Sequence, residues 1–286
     1  CKCMGSAGEP LFLDVSSVIA NSDRAGKVTV IGGRYGLSSK DTDTAQIVAV
    51  FDNLAAPEPK RGFTIGITDD VTNLSLPVRP LDDFEDGDTY SCKFWGLGGD
   101  GTVGANHNTI RILGDCADMY AQAYFEYDSK KSFGVTKSHL RLSKKPIRST
   151  YYVKRADFLP CHNQSYVRQY DMVQEVKPGG TFLLNTSWTP KELDANLPGK
   201  MKRYIAQNGI RLFTVDAVEV AQRVGLGSHI NTVLQAAFFQ IAGLMPVEEA
   251  LDYMKDAARK SYARKGDVVV AKNVAAIEEG AQKCVE

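Results

Sequence analysis

The sequence predicts an α/β protein: an open, mainly parallel, doubly wound sheet with helices on both faces, preceded by a smaller, partial α/β piece. Three observations carry that expectation. Runs rich in β-branched and aromatic residues alternate with runs whose apolar residues recur at helical spacing, the pattern of β-α-β units. A glycine-rich loop at residues 96–104 lies between one such strand and one such helix. Residues 77–88 (PVRPLDDFEDGD), with prolines and a run of acids, have the composition of a linker, which divides the chain into domains at 1–85 and 86–286.

The elements follow in order. KVTVIGGRYGL (27–37) is a β-branched run closed by glycines. Asp41 to Thr44 form an N-cap cluster for a helix through AQIVAVFDNLAA, with Ile47, Val48, Val50, Phe51 and Leu54 at helical spacing and Pro57 as the stop. RGFTIGITDD (61–70) completes a β-α-β unit, which puts its strands in parallel. The alternation restarts with the strand YSCKFWGLG and the helix TVGANHNTIRIL. MYAQAYFEYD, GVTKSHLRLS and STYYVKRADFLPC are strand-like, and YVRQYDMVQEV is expected to be a short helix. TFLLNTSW is a buried strand after Gly179-Gly180, and TPKELDANL opens a helix with Thr189 as N-cap and Pro190 at its first position. The strand IRLFTVDA and the helix VEVAQRVG follow, and two helices, NTVLQAAFFQIAGL and PVEEALDYMKDAARKSYARKG, are expected to close the domain.

Composition excludes several functions. Lys and Arg total 34, as do Asp and Glu, so no global field favours nucleic acid or an anionic membrane. The zero hides a local asymmetry: residues 126–155 hold nine basic side chains against Glu126 and Asp128, while residues 69–88 hold seven acids against Arg79. No window is apolar enough to span a bilayer, and the first residues, CKCMGSAGEP, do not have the pattern of a signal peptide, so an intracellular protein is expected. The chain opens on Cys mid-pattern and is read as a piece of something longer. Six scattered cysteines suit neither a disulfide framework nor a metal set, since Cys1-x-Cys3 has no second pair.

The strongest chemical signal is Gly96-Leu97-Gly98-Gly99-Asp100-Gly101-Thr102. Glycines at 96, 98 and 101 fit G-x-G-x-x-G, which lets a backbone approach a pyrophosphate at a helix N-terminus. An NAD site would want a lone acid about 20 residues on, at the end of the second strand. Asp128 stands there, but Lys130 and Lys131 follow, and they suit an extra ribose phosphate, as in NADP or the 3′-phosphate of coenzyme A. Gly99-Asp100-Gly101 also begins a thiamine diphosphate motif, yet the Asn pair needed to complete the Mg2+ site is missing. None of His107, His139, His162 and His229 lies in a nucleophile elbow, and Cys161 beside His162 makes no catalytic pair by adjacency, so all four are read as structural or surface residues. Asn185, Thr186 and Ser187 are better contact candidates, at the carboxyl end of a parallel strand where open sheets bind ligands.

Eight stretches together resemble the pyruvate:ferredoxin (flavodoxin) oxidoreductase family: GEPLFLDV (8–15), GGRYGLSSKD (32–41), FTIGITDDVT (63–72), KFWGLGGDGTVGANHNTI (93–110), AQAYFEYDSKKSFGVTKSHLR (121–141), PIRSTYYV (146–153), GGTFLLNTSW (179–188) and SHINTVLQAAFF (228–239). The resemblance implies an internal fragment: the C-terminal part of a transketolase C-terminal-like domain II at 1–85, then a gamma-type, coenzyme A-binding domain III at 86–286. It implies that the whole enzyme decarboxylates pyruvate on thiamine diphosphate with Mg2+, passes electrons through [4Fe-4S] clusters to ferredoxin or flavodoxin and forms acetyl-CoA. It also implies a homodimer in the cytoplasm or a hydrogenosome-like organelle, with the fragment inactive alone and the thiamine and cluster sites outside it. By residue, it assigns Gly98, Gly99, Asp100, Gly101, Thr102 and Asn106 to the coenzyme A loop, and Lys130 and Lys131 to its phosphates. It further assigns Asn185, Ser187 and Asn231 to the ligand, although Ser228-His229 stands where the family often has Gly-Arg. The alternatives are a stand-alone NADP-binding oxidoreductase domain, or a structural module whose exposed apolar face recruits a partner.

Overall fold

A computed structural model of the chain describes residues 7–37, 40–81, 87–128 and 134–286. The chain forms two compact units, Cys1–Glu85 with Ser149–Tyr152 and Asp86–Arg148 with Val153–Glu286.

In the first unit, helix α1 (Pro10–Ala20) has proline at its start and no buried residue. Helix α2 (Thr44–Ala55) begins where the Asp43 carboxylate accepts a hydrogen bond from the Gln46 amide at 2.9 Å. It stops just before Pro57. Strands β1 (Gly33–Arg34) and β2 (Phe63–Thr64) pair in parallel, as the β-α-β pattern requires. The strand expected over 27–37 shrinks to two residues, because a ladder extends only where a neighbouring strand offers partners. Ala49, Phe63, Ile65 and Leu76 form a small core.

The second unit is built on six strands: β3 (Thr89–Leu97), β4 (Tyr120–Tyr127), β5 (Val135–Ser143), β6 (Ala156–Cys161), β7 (Val176–Asn185) and β8 (Arg211–Val215). Their spatial order is β4-β5-β3-β6-β7-β8. Strands β3, β6, β7 and β8 run parallel, while β5 is antiparallel to both its neighbours. The helices are α3 (Thr102–Cys116), α4 (Pro190–Asn196), α5 (Gly199–Gln207), α6 (Ala217–Arg223), α7 (Asn231–Ala242), α8 (Val247–Tyr262) and α9 (Asp267–Gln282). The sheet is covered on both faces. Cys92, Phe94, Leu140, Phe158 and Leu183 meet α3 and α6 to α9 on one side. Trp95, Leu159, Phe182 and Leu184 meet Tyr166, Met172, Leu197 and Met201 on the other. Helix α7 is buried almost all round, and its Phe238 stacks edge-on against Phe158 with ring centroids 5.2 Å apart.

Three local expectations are corrected. The segment YVRQYDMVQEV forms two 3₁₀ turns, Gln164–Arg168 and Met172–Glu175, instead of one helix. Its apolar pairs, Tyr166-Val167 and Met172-Val173, are adjacent in sequence rather than spaced by a turn, and two short turns bury both. Three helices close the domain rather than two. In α9 the run Val268 to Val270 is strand-like by composition, but Asn273, Ala276, Ile277, Gly280 and Ala281 fall on one buried helical stripe. Helix α5, which the pattern did not suggest, buries only Met201.

Candidate active cleft

The carboxyl ends of the four parallel strands open on a cleft of about 690 Å³. The end of each strand and the turn after it contribute: Leu97 ends β3 and Asp100 follows it, His162 to Gln164 follow β6, Thr186 and Ser187 follow β7, and Asp216 follows β8. This is the end of an open α/β sheet where ligands are held.

The glycine loop has a defined geometry. Asp100 turns its carboxylate back on the loop, accepting from the amides of Leu97 and Thr102, each at 2.8 Å. The Gly98 amide donates to the Gly134 carbonyl at 2.7 Å, and the Asp100 amide to the Leu97 carbonyl at 2.9 Å. A carboxylate of the chain thus sits on the first amide of α3, where the helix end favours negative charge. Gly101 has φ +85°, and a Cβ there would come within 3.0 Å of the Asn231 side chain, so only glycine closes this turn against the first residue of α7.

His162 is a buried polar group in the wall of the cleft. It is 6% exposed, and its Nδ1 lies 2.7 Å from the Thr102 Oγ1 and 4.0 Å from the Asp100 carboxylate. Its main-chain amide donates to the Trp95 carbonyl at 2.8 Å. Burial holds its pKa below the ordinary 6.5, against the pull of Asp100, so the ring is neutral at pH 7. Asn185 braces the wall: its Nδ2 donates to the His162 carbonyl at 2.9 Å and its Oδ1 accepts from the Ala217 amide at 3.0 Å. The Thr186 hydroxyl donates to Gln164 Oε1 at 2.6 Å. Asp216 caps α6 by accepting from the Glu219 amide at 2.8 Å.

Asp100, Asn185 and Ser187 share this cleft, and Asn231 touches the loop at Gly101. Asn106 faces inward from α3, 2% exposed, and does not line the cleft. Lys130 and Lys131 lie outside the described residues. His162, which sequence reasoning set aside as structural, joins the site because it immediately follows β6. The strand-end rule that pointed to Asn185 would have found it had it been applied to every parallel strand.

The dinucleotide geometry is not met. Strand β4 runs in the same sense as β3 but β5 lies between them, so the end of β4 at Asp128 stands two strand spacings, about 10 Å, from the loop's strand. The residues present do not fit a thiamine or cluster site either. Asp100 is committed to its own loop, and the described cysteines, Cys92, Cys116, Cys161 and Cys284, sit on separate elements rather than as one ligand set.

Residues 91–283 match the family model described as pyruvate ferredoxin/flavodoxin oxidoreductase. Over 282 residues the chain is 51% identical to the pyruvate:ferredoxin oxidoreductase of Moorella thermoacetica, a match that covers 99% of this chain and 24% of that protein. It therefore spans about a quarter of that relative's length. Among solved structures, the PORC subunit of Thermotoga maritima pyruvate oxidoreductase aligns with TM-score 0.54 at 17% identity, over 70% of this chain and 99% of that one. The 2-oxoglutarate:ferredoxin oxidoreductase of Magnetococcus marinus, solved with 2-oxoglutarate, coenzyme A and succinyl-CoA bound, aligns with TM-score 0.53 at 17% identity, over 69% of this chain and 32% of that one. With the long family match added to the shared sheet, the conclusion is direct: this chain belongs to the pyruvate ferredoxin/flavodoxin oxidoreductase family.

Proposed function

We propose that the chain serves a pyruvate:ferredoxin or flavodoxin oxidoreductase as its coenzyme A-binding part. In that enzyme pyruvate, coenzyme A and an oxidised acceptor give acetyl-CoA, CO2 and the reduced acceptor. Decarboxylation on thiamine diphosphate and electron passage through [4Fe-4S] clusters belong to parts outside these 286 residues. The observation that carries the reading is the cleft at the carboxyl ends of β3, β6, β7 and β8, walled by the glycine loop and by Asn185, which is large enough for the arm of an acyl carrier. The related fold of a 2-oxoacid oxidoreductase solved with coenzyme A and succinyl-CoA supports it. Residues 1–85 are assigned to the end of the preceding domain and 86–286 to the coenzyme A domain.

On this reading the chain's residues bind and orient. Asp100 and Gly101 hold the turn, Asn185 ties β7 to β6 and α6, and Lys130 with Lys131 meet the 3′-phosphate. Calorimetric titration with coenzyme A and with dephospho-coenzyme A tests this. Coenzyme A is expected to bind about tenfold more tightly, and Lys130→Ala with Lys131→Ala to erase the difference. Equal affinities in the unaltered protein would sink the lysine assignment, and no binding of either would overturn the coenzyme A reading.

A further inference from the structure

A polar side chain buried without a partner forfeits its hydrogen bonds to water, so each such group calls for a physical account. Among the described residues, three of these atoms belong to one face of one layer: Nδ2 of Asn106, Oγ1 of Thr136 and Oγ of Ser138. The residues are 2%, 6% and 0% exposed, and none of the three atoms bonds another.

The fold brings them together beneath the start of α3. Thr136 and Ser138 are two apart on β5, so they point the same way as Leu140 and Leu142, which pack with Ile112 and Leu113 of α3. A Cβ on Gly96, the register partner of Thr136, would lie 2.7 Å from the Thr102 Oγ1. A Cβ on Gly114 would lie 3.8 Å from that of Ala121, the register partner of Leu142. Helix α3 therefore runs along β5 from the level of Thr136 toward that of Leu142. Asn106 is one turn past Thr102, about 6 Å along the helix, and shares its buried stripe with Thr102, Thr109 and Leu113. Two residues of strand advance about 7 Å, which sets Asn106 over the level of Ser138.

These groups offer an amide donor and two hydroxyls that can each donate or accept. A cation would face the amide hydrogens, and an ion of either sign would lie in the apolar surroundings of Phe94, Leu140 and Leu113, where losing its hydration is costly. A small, neutral molecule that both donates and accepts meets all three. We propose that Asn106, Thr136 and Ser138 bind one internal water molecule between α3 and β5, which accepts from Asn106 Nδ2 and donates to the two hydroxyl oxygens. The water ties the first turns of α3 to the middle of the sheet, and α3 carries Thr102 and its bond to His162. Asn106 is thus a positioning residue for the loop, which accounts for a buried asparagine that does not line the cleft.

Two measurements on the full-length protein test this. Crystals that diffract well enough to show ordered solvent should reveal one solvent peak about 2.7–3.2 Å from all three atoms. Side chains bonded to one another or to the main chain in its place would overturn the proposal. In mass-spectrometric hydrogen exchange, Asn106→Leu, close in shape to the asparagine, leaves the water and both hydroxyls short of a partner, and peptides of α3 should exchange about tenfold faster. Combining it with Thr136→Val and Ser138→Ala removes every polar partner, and exchange should return to within about twofold of the unaltered protein. Acceleration in the combined variant that equals or exceeds that of Asn106→Leu would mean three independent side chains and no shared water.

Discussion

The thiol of Cys161 precedes His162 directly, yet burial pushes its pKa up to about 12, and its Sγ donates to the Asn163 carbonyl at 3.2 Å. A thiol held protonated is neither nucleophile nor ligand. Alkylation of the native protein followed by peptide mapping should label exposed Cys116 and spare Cys92 and Cys161 until unfolding; early labelling of Cys161 would contradict its burial. His162 makes stability depend on pH. Its folded pKa lies below 6.5, so the unfolded chain binds the proton first, and stability falls as pH drops below about 6.5. Urea midpoints measured from pH 7.5 to 5.5 should show a shallower slope in His162→Asn than in the unaltered protein. Equal slopes would mean that the ring titrates freely in the fold. What the residues said in advance was uneven. Glycines at 98, 99 and 101 announced a tight loop, but that Asp100 would sit on the first amide of α3 followed from a fold-back across three residues that no motif encodes.

Helices α7 and α9 meet so closely that a Cβ on Gly280 would lie 2.6 Å from the Val233 carbonyl oxygen. Because that neighbour is backbone, Gly280→Ala forces the helices apart and should cost about 1–3 kcal/mol in chemical denaturation. No loss of stability would show that α9 can slide without penalty. On the sheet, the face of β3, β5 and β4 opposite α3 is polar. Lys93 pairs with Glu175 at 2.7 Å, Lys137 with Glu126 at 2.8 Å, and the His139 Nε2 lies 3.5 Å from Glu126. His139 and Lys137 hold the Glu126 pKa down to about 2, so its contribution is complete above its ordinary 4.5 and disappears as pH falls toward 2. Glu126→Gln should therefore be less stable than the unaltered protein at pH 7, by urea midpoint, with the gap closing over that interval. A gap that is constant with pH would assign the effect to packing. Elements with a clean period and a cap were legible, as α2 behind Asp43 and α4 in the Thr189–Glu192 capping box attest. Helix α9 was not, because its valines favour a strand and only the groove beside α7 selects the helix.

At the scale of the molecule, several basic side chains of the stretch at 126–155 are paired within the fold although most of them reach solvent. Lys137 pairs with Glu126, Arg141 donates to Gln122 at 3.3 Å, Lys144 to the Ala117 carbonyl at 2.9 Å, Lys145 pairs with Asp88, and Arg155 reaches the Val176 carbonyl. Much of the local charge excess is thus engaged in holding strands and helix ends. The two units differ in core. Among the described residues one buries Ala49, Phe63, Ile65 and Leu76, whereas the other buries two extensive clusters on opposite faces of its sheet. Hydrogen exchange should be faster across residues 44–76 than along β3, β6 and β7; comparable protection would mean that the small core is reinforced. No helix among the described residues is long and apolar enough to cross a membrane. The sequence by itself determined the α/β class, the parallel central strands, the loop and the family, because these rest on periodicity, glycine placement and long ordered motifs. Only the tertiary structure decided that β5 separates β4 from β3, that Asp100 sits on the first amide of α3, and that His162 faces the cleft. Each of these depends on contacts between residues far apart in the chain, and local pattern carries no information about which distant partner will satisfy a buried polar group.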